Sequence, residues 1–331
     1  MNTIRWGMIG CGAVCEVKSG PGFYKADHST LLAVASADPA LTRSYASRHG
    51  VPRTYDSAEA LVQDPDIDAV YVATPPSSHK PLALLAARAG KHVYVEKPMA
   101  LRFDECEDII AECRRLERRL FVAFYRRAMP RFLKVKEWID ARAIGDVRCI
   151  SAVQHQAPAA EDLSRATLPW RLKPEVAGGG KFLDMGLHTL DLFDFLFGPL
   201  VDIQGVATNQ GGLYDVEDTV TAAWRHASGV CGAGSWCYVC GDDVDRVEIV
   251  GAKGRIEFEF FSDRPLRLTT AAGTQEVAIP NPPHVQQPFI QSIVDDLNGV
   301  APCPGTPESA ARSSFAADAI LRGFRQQHGT G

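Results

Sequence analysis

The sequence predicts an α/β domain with a doubly wound, mostly parallel sheet, followed by an α+β domain with an open, largely antiparallel sheet. In the first part of the chain, short apolar runs alternate with helical segments, which is the pattern of a parallel sheet covered on both faces. Beyond residue 141, strand-like runs follow one another with few helices between them. We therefore predict a first domain of residues 1–125 and a second of residues 126–331.

Composition limits the classes of partner. The chain has 331 residues, of which 46% are hydrophobic and 23% charged, and its net charge is −5. Without clustered Lys and Arg, nucleic acid is not expected as a partner, because phosphate binding needs such clusters. The N-terminal residues show no basic leader, and no apolar run is long enough to span a bilayer. We predict a cytoplasmic protein that has a small-molecule substrate and does not bind a membrane.

The nine cysteines are scattered along the chain, so no disulfide framework is expected in a reducing compartment. The one CxxC pair is Cys237 and Cys240, in a strand-like run from Val230 to Val239. Alternation along a strand predicts that these two thiols face opposite sides. We therefore interpret the cysteines as structural and predict no metal site.

A glycine-containing turn follows the first apolar run, Ile4–Ile9. Its sequence is close to the G-x-G-x-x-G/A fingerprint of a dinucleotide site, with Cys15 in the third small-residue position. In that fingerprint the first glycine makes the turn and the second lets the backbone approach the pyrophosphate. The dinucleotide contacts predicted here are Gly10, Cys11, Gly12, Ala13 and Val14.

The second strand, Leu31–Ala35, ends where a side chain normally meets the adenine ribose. Ser36 can donate a hydrogen bond to the 2′-phosphate of NADP, whereas a carboxylate there would repel it. Asp38, two residues further on, would favour the hydroxyls of NAD if the turn brought it to the ribose. Both residues are predicted cofactor contacts, and the cofactor is NADP or NAD with a slight preference for NADP.

Two more strands, Ala69–Ala73 and Lys91–Val95, end in polar or proline-rich segments. In doubly wound sheets, ligands bind at the carboxyl ends of the strands. His79 either adjoins the cofactor or opens the helix that follows, and Lys97 can hold a substrate oxygen by a charged hydrogen bond. The cofactor-binding residues predicted here are Thr74, Pro75, Pro76, His79, Glu96 and Lys97.

The remaining chain supplies the second domain. Its strand candidates are Val147–His155, Val201–Thr208, Thr219–Trp224, Val230–Val239, Arg246–Val250 and Arg255–Phe260. The connection 156–177 shows no strand or helix pattern and is long enough to be a functional cap. Two late helices are expected near Gln286–Asn298 and Glu308–Arg325.

Three glycines at 178–180 open a segment with leucines at helical spacing. Asp184 and His188 are four residues apart in this segment, so on an α-helix they share one face. The carboxylate can then hold the imidazole in one tautomer and raise its basicity. The pair is a candidate catalytic base with its orienting group, although two surface polar side chains would have the same spacing.

Four landmarks together resemble the Gfo/Idh/MocA oxidoreductase family: Gly10-Cys11-Gly12, Ala73-Thr74-Pro75-Pro76, Glu96-Lys97-Pro98 and the segment 178–191. The resemblance covers almost the whole chain. It implies a Rossmann domain joined to an α+β domain whose sheet often mediates dimers or tetramers. It further implies NAD(P)-linked oxidation or reduction of sugars, cyclitols and related polyols.

The resemblance also implies residue roles. Lys97 corresponds to the family's catalytic lysine, and Asp184 and His188 to its paired carboxylate and histidine. We expect His188 to be the base, Asp184 to orient it or hold a neighbouring hydroxyl, and Lys97 to stabilise the developing alkoxide, with exchange of roles between Lys97 and His188 left open. Since Arg127, Trp170 and Arg171 stand where family members line the cleft, the predicted substrate-binding residues are Lys97, Arg127, Trp170, Arg171, Asp184 and His188.

Two other functions remain open at this point. The nicotinamide could act as a shuttle in a redox-neutral reaction that oxidises a sugar transiently. Alternatively, the chain could be a non-catalytic cofactor- or sugar-sensing regulator on the same fold, because function lies in the site and not in the fold. The presence of Lys97, Asp184 and His188 together favours an enzyme.

Overall fold

The computed structural model describes residues 1–329. A six-stranded sheet occupies the first part of the chain, in the order β3-β2-β1-β4-β5-β6 with every pair parallel. Its strands are β1 Ile4–Ile9, β2 Ser29–Ala35, β3 Arg53–Tyr55, β4 Ala69–Val72, β5 His92–Val95 and β6 Leu120–Val122. The order reverses between β1 and β4, which creates the crevice where such sheets bind dinucleotides.

An eight-stranded sheet follows, in the order β14-β13-β12-β11-β7-β10-β9-β8. Its strands are β7 Val147–His155, β8 Leu200–Thr208, β9 Thr219–His226, β10 Cys231–Cys237, β11 Val244–Gly251, β12 Gly254–Phe258, β13 Leu266–Thr270 and β14 Gly273–Val277. Among the described residues of this second sheet, only β7 and β10 pair in parallel, and the other neighbouring strands are antiparallel. Both sheets match the predicted fold classes.

Helices connect and flank the strands. They are α1 Ala13–Val17, α2 Gly20–Lys25, α3 Pro39–His49, α4 Ala58–Val62, α5 His79–Arg88, α6 Phe103–Arg115, α7 Pro130–Asp140, α8 Pro174–Ala177, α9 Leu187–Phe197, α10 Gln287–Leu297 and α11 Pro307–His328. No helix within residues 1–329 combines the length and apolar character that a bilayer crossing requires.

The chain forms two compact units. The first comprises Met1–Met129 and Pro282–Ala311, and the second Pro130–Asn281 and Arg312–Gly331. The predicted division put all of 126–331 in one domain, whereas 282–311 group with the first unit. The cause is the packing of α10, where Ile290 lies against Gly22 of α2 and Gln286 bonds Tyr94 of β5.

Burial explains why these segments form strands. All four residues of β4 are buried, as expected for a central parallel strand covered on both faces. Aromatic side chains fill one side of the first sheet, with Trp6 and Phe23 ring centroids 4.9 Å apart and Tyr71 and Tyr94 stacked at 4.8 Å. In contrast, β9 alternates buried and exposed residues, which is typical of a strand with one covered face.

Two local expectations were wrong. The connection 156–177 is not devoid of secondary structure: it contains the 3₁₀ turns Ala160–Leu163, Arg165–Thr167 and Trp170–Leu172, and then α8. The thiols of Cys237 and Cys240 do not face opposite sides of a strand. The strand β10 ends at Cys237, and the chain turns beyond it, so that the Cys240 side chain forms a hydrogen bond with the Cys237 side chain.

Candidate functional site

The turn between β1 and α1 requires glycine at position 10 and has open space beside Gly12. Gly10 has φ of +105°, and a Cβ there would lie 2.6 Å from the carbonyl oxygen of Ala73. Nothing lies within 4 Å of a Cβ placed on Gly12, which is the N-cap of α1. Open space beside this backbone fits the close approach of a pyrophosphate. Ala13 and Val14 form the first turn of α1.

The two thiols of this turn are packing groups. Cys15 is fully buried and its Sγ lies 3.4 Å from the Gly10 carbonyl oxygen, to which it donates. Burial raises the pKa of Cys15 well above its ordinary value and raises that of Cys11 to about 11. Both thiols therefore stay protonated near neutral pH, and Cys15 substitutes sterically for the small third residue of the fingerprint.

At the end of β2, the polar groups form a turn. The Ser36 hydroxyl lies 2.7 Å from the Thr42 hydroxyl and donates to the Asp38 carbonyl at 2.8 Å. The Asp38 carboxylate accepts hydrogen bonds from Ala40 and Leu41 N–H and so caps α3. Ser36 is thus the side chain at the strand end, while one carboxylate oxygen of Asp38 is committed to the helix.

Thr74 to His79 form a braced corner beyond β4. Pro75 is extended, and Pro76 begins a short 3₁₀ turn that leads into α5. His79 is fully buried, and its two ring nitrogens each lie 2.7 Å from a carbonyl oxygen, those of Pro98 and Thr74. Burial lowers the pKa of His79. The imidazole's polar atoms are thus engaged by the protein's own backbone and link the loops after β4 and β5.

Lys97 follows a buried carboxylate. Glu96 accepts hydrogen bonds from the Tyr71 hydroxyl at 2.7 Å and from Gln286 Nε2 at 2.6 Å. Its other oxygen accepts from the Lys97 backbone N–H at 3.1 Å. The buried carboxylate therefore fixes the backbone of Lys97 at the carboxyl end of the first sheet, near the crevice.

One buried polar atom in this region fits a bound cofactor. The Thr74 hydroxyl has no hydrogen-bond partner among the groups of residues 1–329. Since buried polar groups are normally paired, a ligand at this edge of the sheet could supply the missing partner. With the open Gly12 backbone, this makes the crevice suited to a dinucleotide.

The second unit carries the other candidate catalytic residues on a widened helical turn. Phe182–Gly186 is π-helical, with the Leu187 N–H reaching back to the Phe182 carbonyl, and α9 continues from Leu187. Single π-helical turns occur frequently at functional sites. Asp184 lies in this turn, and His188 is buried in the first turn of α9. The regular α-helical spacing assumed from sequence is therefore interrupted between them.

Asp184 has a partner that sequence analysis placed separately in the substrate-binding set. Arg171 Nε donates to Asp184 Oδ2 at 3.1 Å, and the guanidinium lies over the Trp170 ring at 4.4 Å from its centroid. A stacked, bonded guanidinium holds a carboxylate in one orientation. The structure thus brings Trp170, Arg171 and Asp184 together.

Arg127 lies in the first unit and is almost fully buried. Its Nη1 is 3.5 Å from the Pro304 carbonyl oxygen. The prediction that Arg127 contacts substrate is supported only by the resemblance to the family.

Glu217 was missed by sequence analysis. Its buried carboxylate accepts the Gly180 N–H at 2.8 Å, directly before the π-helical turn. The only available signal was a pair of acids, Glu217-Asp218, at the start of a strand, and such pairs are ordinarily solvated.

Comparison with known proteins gives the same assignment along most of the chain. A family model described as "Oxidoreductase family, NAD-binding Rossmann fold" matches residues 4–124. A second, the "GFO/IDH/MocA C-terminal domain", matches residues 132–257.

Individual proteins are similar over about four fifths of their length or more. Oxidoreductase P35 of Formosa agariphila is 37% identical over 95% of this chain and 97% of that protein. Myo-inositol 2-dehydrogenase of Thermotoga maritima is 30% identical over 82% of this chain and 79% of its own. A levoglucosan dehydrogenase in complex with NADH and levoglucosan has the same fold, with a TM-score of 0.86, 23% identity and 98% coverage of both chains. From its two sheets and these matches, the chain belongs to the Gfo/Idh/MocA family of NAD(P)-dependent oxidoreductases.

Proposed function

We propose that this enzyme transfers a hydride between nicotinamide and a CH–OH group of a sugar, cyclitol or related polyol. The observation that carries the proposal is the position of Lys97 at the carboxyl end of a Rossmann sheet, where the buried Glu96 fixes its backbone. The names of the inositol and levoglucosan dehydrogenases support a polyhydroxylated substrate.

The dinucleotide would be held by the Gly10 and Gly12 turn, the β2 end at Ser36 and the Thr74 corner. When bound, the nicotinamide supplies the hydride acceptor or donor. His188 takes the proton of the reacting hydroxyl, as an uncharged imidazole suits that task near neutral pH. The Lys97 ammonium stabilises the negative charge that develops on the substrate oxygen. Asp184, held by Arg171, orients a neighbouring hydroxyl or the imidazole.

A substrate screen tests this function. Polyols, aldoses and their keto forms are incubated with NAD, NADP and their reduced forms, and the absorbance of the reduced nicotinamide is followed. Turnover with at least one compound, lost in His188→Asn, is the expected result. Products are also identified by mass, because a change of substrate without net change in nicotinamide would indicate the redox-neutral reaction instead. Binding of cofactor without any turnover would favour the regulator.

For the cofactor, we propose a modest preference for NADP. The Ser36 hydroxyl stands at the β2 end, while the Asp38 carboxylate caps α3. Introducing a carboxylate by Ser36→Asp should weaken NADP binding far more than NAD binding, because it would face the 2′-phosphate. If Ser36→Asp leaves the affinities for NAD and for NADP unchanged, the placement of Ser36 at the ribose is contradicted.

We further propose a homo-oligomer and a cytoplasmic location. The outward side of the second sheet carries small exposed side chains on adjacent strands, among them Ser151, Ala223 and Ala233, which are paired in register. Such a face of small exposed side chains suits contact with a second copy. Nine cysteines without a disulfide in the described residues fit a reducing compartment.

A further inference from the structure

Glu217 places a fully enclosed carboxylate against the start of the segment that carries Asp184 and His188. The side chain is 2% exposed, and its Oε1 accepts the Gly180 N–H at 2.8 Å. Burying a carboxylate is costly unless hydrogen bonds compensate, so this group is held there by specific partners. Gly180 precedes Asp184 by four residues, whereas Glu217 follows Asp184 by thirty-three residues in the chain.

The two glycines leave the room that this carboxylate needs. A Cβ on Gly179 would lie 3.2 Å from both carboxylate oxygens of Glu217, and a Cβ on Gly180 would lie 2.3 Å from its backbone oxygen. Side chains at either position would push the acid away from the Gly180 N–H. The glycine triplet and Glu217 therefore form one arrangement.

The loop that carries Glu217 also contacts the 156–177 connection. Leu172 packs in a buried cluster with Tyr214 and Val216. On the exposed side, Arg165 also pairs with Asp215 at 2.8 Å, but because both side chains are exposed this pair contributes little. The loop 209–218 thus joins the connection that supplies Trp170 and Arg171 to the segment that supplies Asp184.

A second ion pair strengthens this link. Lys181, the residue after Gly180, pairs with Asp162, whose side chain is fully buried. The same carboxylate oxygen, Asp162 Oδ2, also accepts a hydrogen bond from the Ala159 N–H at 2.8 Å. Gly180 and Lys181 are therefore both tied to neighbouring loops immediately before the π-helical turn.

The charged and titratable groups around Glu217 come from several elements. Arg325 of α11 attracts the carboxylate, and the neighbouring Asp218 repels it. Tyr214 and Tyr238 are also within its electrostatic reach, and Lys181 stands beside Gly180. Burial raises the pKa of Glu217 to about 7, so its charge changes near neutral pH.

We propose that Glu217 is a positioning residue whose carboxylate, as the acceptor for Gly180, fixes the start of the helical segment that presents Asp184 and His188. The ionised carboxylate is the stronger acceptor, since charge-assisted hydrogen bonds exceed neutral ones. Enclosure nevertheless favours the protonated form over the ionised one, so the segment is held most firmly at acid pH and less firmly as pH rises through neutrality. The proposal rests on the proposed function for the roles of Asp184 and His188.

The test compares Glu217→Leu, Glu217→Gln and Asp215→Asn in the full-length chain. Hydrogen exchange is measured over residues 178–188 and over the strands of the second sheet. Removing the acceptor in Glu217→Leu should speed exchange at 178–188 by about tenfold or more, because the Gly180 N–H loses its partner. Glutamine retains an acceptor oxygen and should restore most of the protection. Asp215→Asn, an exposed acid in the same loop, is the matched control and should match wild type.

Ionisation supplies a readout that a merely steric role would not change. Between about pH 6 and about pH 8, corrected protection of 178–188 should decrease in wild type and stay constant in Glu217→Gln, because ionisation of the enclosed carboxyl group favours the opened segment. In turnover assays, Glu217→Leu should lower kcat by at least about tenfold with an unchanged KM for the dinucleotide.

Three results would overturn the proposal: wild-type exchange at 178–188 in Glu217→Leu, acceleration spread equally over the second sheet, or the same pH response in wild type and Glu217→Gln. The exchange experiment needs no substrate. If no polyol is turned over, the proposed function fails, while exchange still decides the role of Glu217.

Discussion

At the scale of single residues, we expect Lys97 to affect catalytic turnover and not the binding of the dinucleotide. Its backbone is fixed by Glu96, and its ammonium is assigned to the substrate oxygen. Lys97→Ala should therefore lower kcat by about 100-fold or more, the usual effect of removing a group that stabilises developing negative charge. The dissociation constant of the reduced dinucleotide, measured by fluorescence, should change by less than about twofold.

Lys80→Ala is the matched control for that substitution. Lys80 lies on α5 and pairs with the exposed Asp108 at 2.7 Å. Its removal should alter neither kcat nor cofactor affinity, because exposed ion pairs contribute little. Normal turnover in Lys97→Ala would refute the assignment.

Glu217 makes stability depend on pH. Burial raises its pKa from 4.5 to about 7, so between these values the folded chain binds more protons than the unfolded chain. Its contribution is then fully present below about pH 4.5 and is lost as pH rises through about 7, on the order of 3 kcal/mol at about 1.4 kcal/mol per pKa unit. The difference in unfolding free energy between wild type and Glu217→Gln, measured by urea denaturation across this range, should show that loss.

The contribution of His79 to stability changes with pH in the opposite direction, and His79 is present in both wild type and Glu217→Gln. Its lowered pKa makes it a group whose protonation at acid pH destabilises the folded state. Comparing the two variants cancels this effect. Parallel pH curves for wild type and Glu217→Gln would mean that Glu217 does not titrate in this range.

Residue types and spacing were sufficient to find Lys97, Asp184 and His188 as candidates, because they occur in local motifs. They were insufficient for Glu217, whose importance depends on Gly180 lying beside it in space. Sequence also could not show that Arg171 bonds Asp184, since the two belong to different segments. Contacts between segments depend on tertiary packing, which local patterns do not record.

At the scale of secondary-structure elements, the glycine triplet sets the entry to α9. Gly180→Ala should destabilise the chain by about 2 kcal/mol or more, since its Cβ would lie 2.3 Å from the Glu217 carbonyl oxygen. Gly323→Ala within α11 should instead stabilise by about 0.5–1 kcal/mol, because nothing lies within 4 Å of its Cβ and alanine favours helices. Chemical denaturation of both variants checks the pair. Equal effects would contradict this account of the triplet.

The strands that sequence analysis identified and those it missed differ in burial. The central strands β1, β2, β4 and β5 are apolar runs, so their periodicity predicted them. The missed strands are β3, β13 and β14, which have few buried residues. β3 and β14 lie at sheet edges and β13 lies next to one, and hydrogen bonds to neighbouring strands, not an apolar pattern, hold them in place.

At the scale of the whole molecule, the outward face of the second sheet should mediate self-association. Ala233→Glu would place a carboxylate in the middle of this face and should convert the oligomer to monomers, because two copies would bury facing charges. Ala271→Glu, in the exposed turn between β13 and β14, is the control and should remain oligomeric. Sedimentation velocity at micromolar concentration distinguishes these outcomes. A monomeric wild type would remove the oligomer proposal.

Because residues 282–311 belong to the first unit, they restrict how segments of this enzyme can be exchanged with those of its relatives. A chimera with a single crossover near residue 130 would combine one parent's Glu96 with another parent's Gln286. Those two side chains are bonded at 2.6 Å, and Glu96 also accepts the Lys97 N–H, so a parent without a matching residue at position 286 would weaken the support of that lysine's backbone. Exchange of substrate specificity by domain grafting therefore requires crossovers near 130, 282 and 312, so that 282–311 are inherited with the cofactor-binding parent.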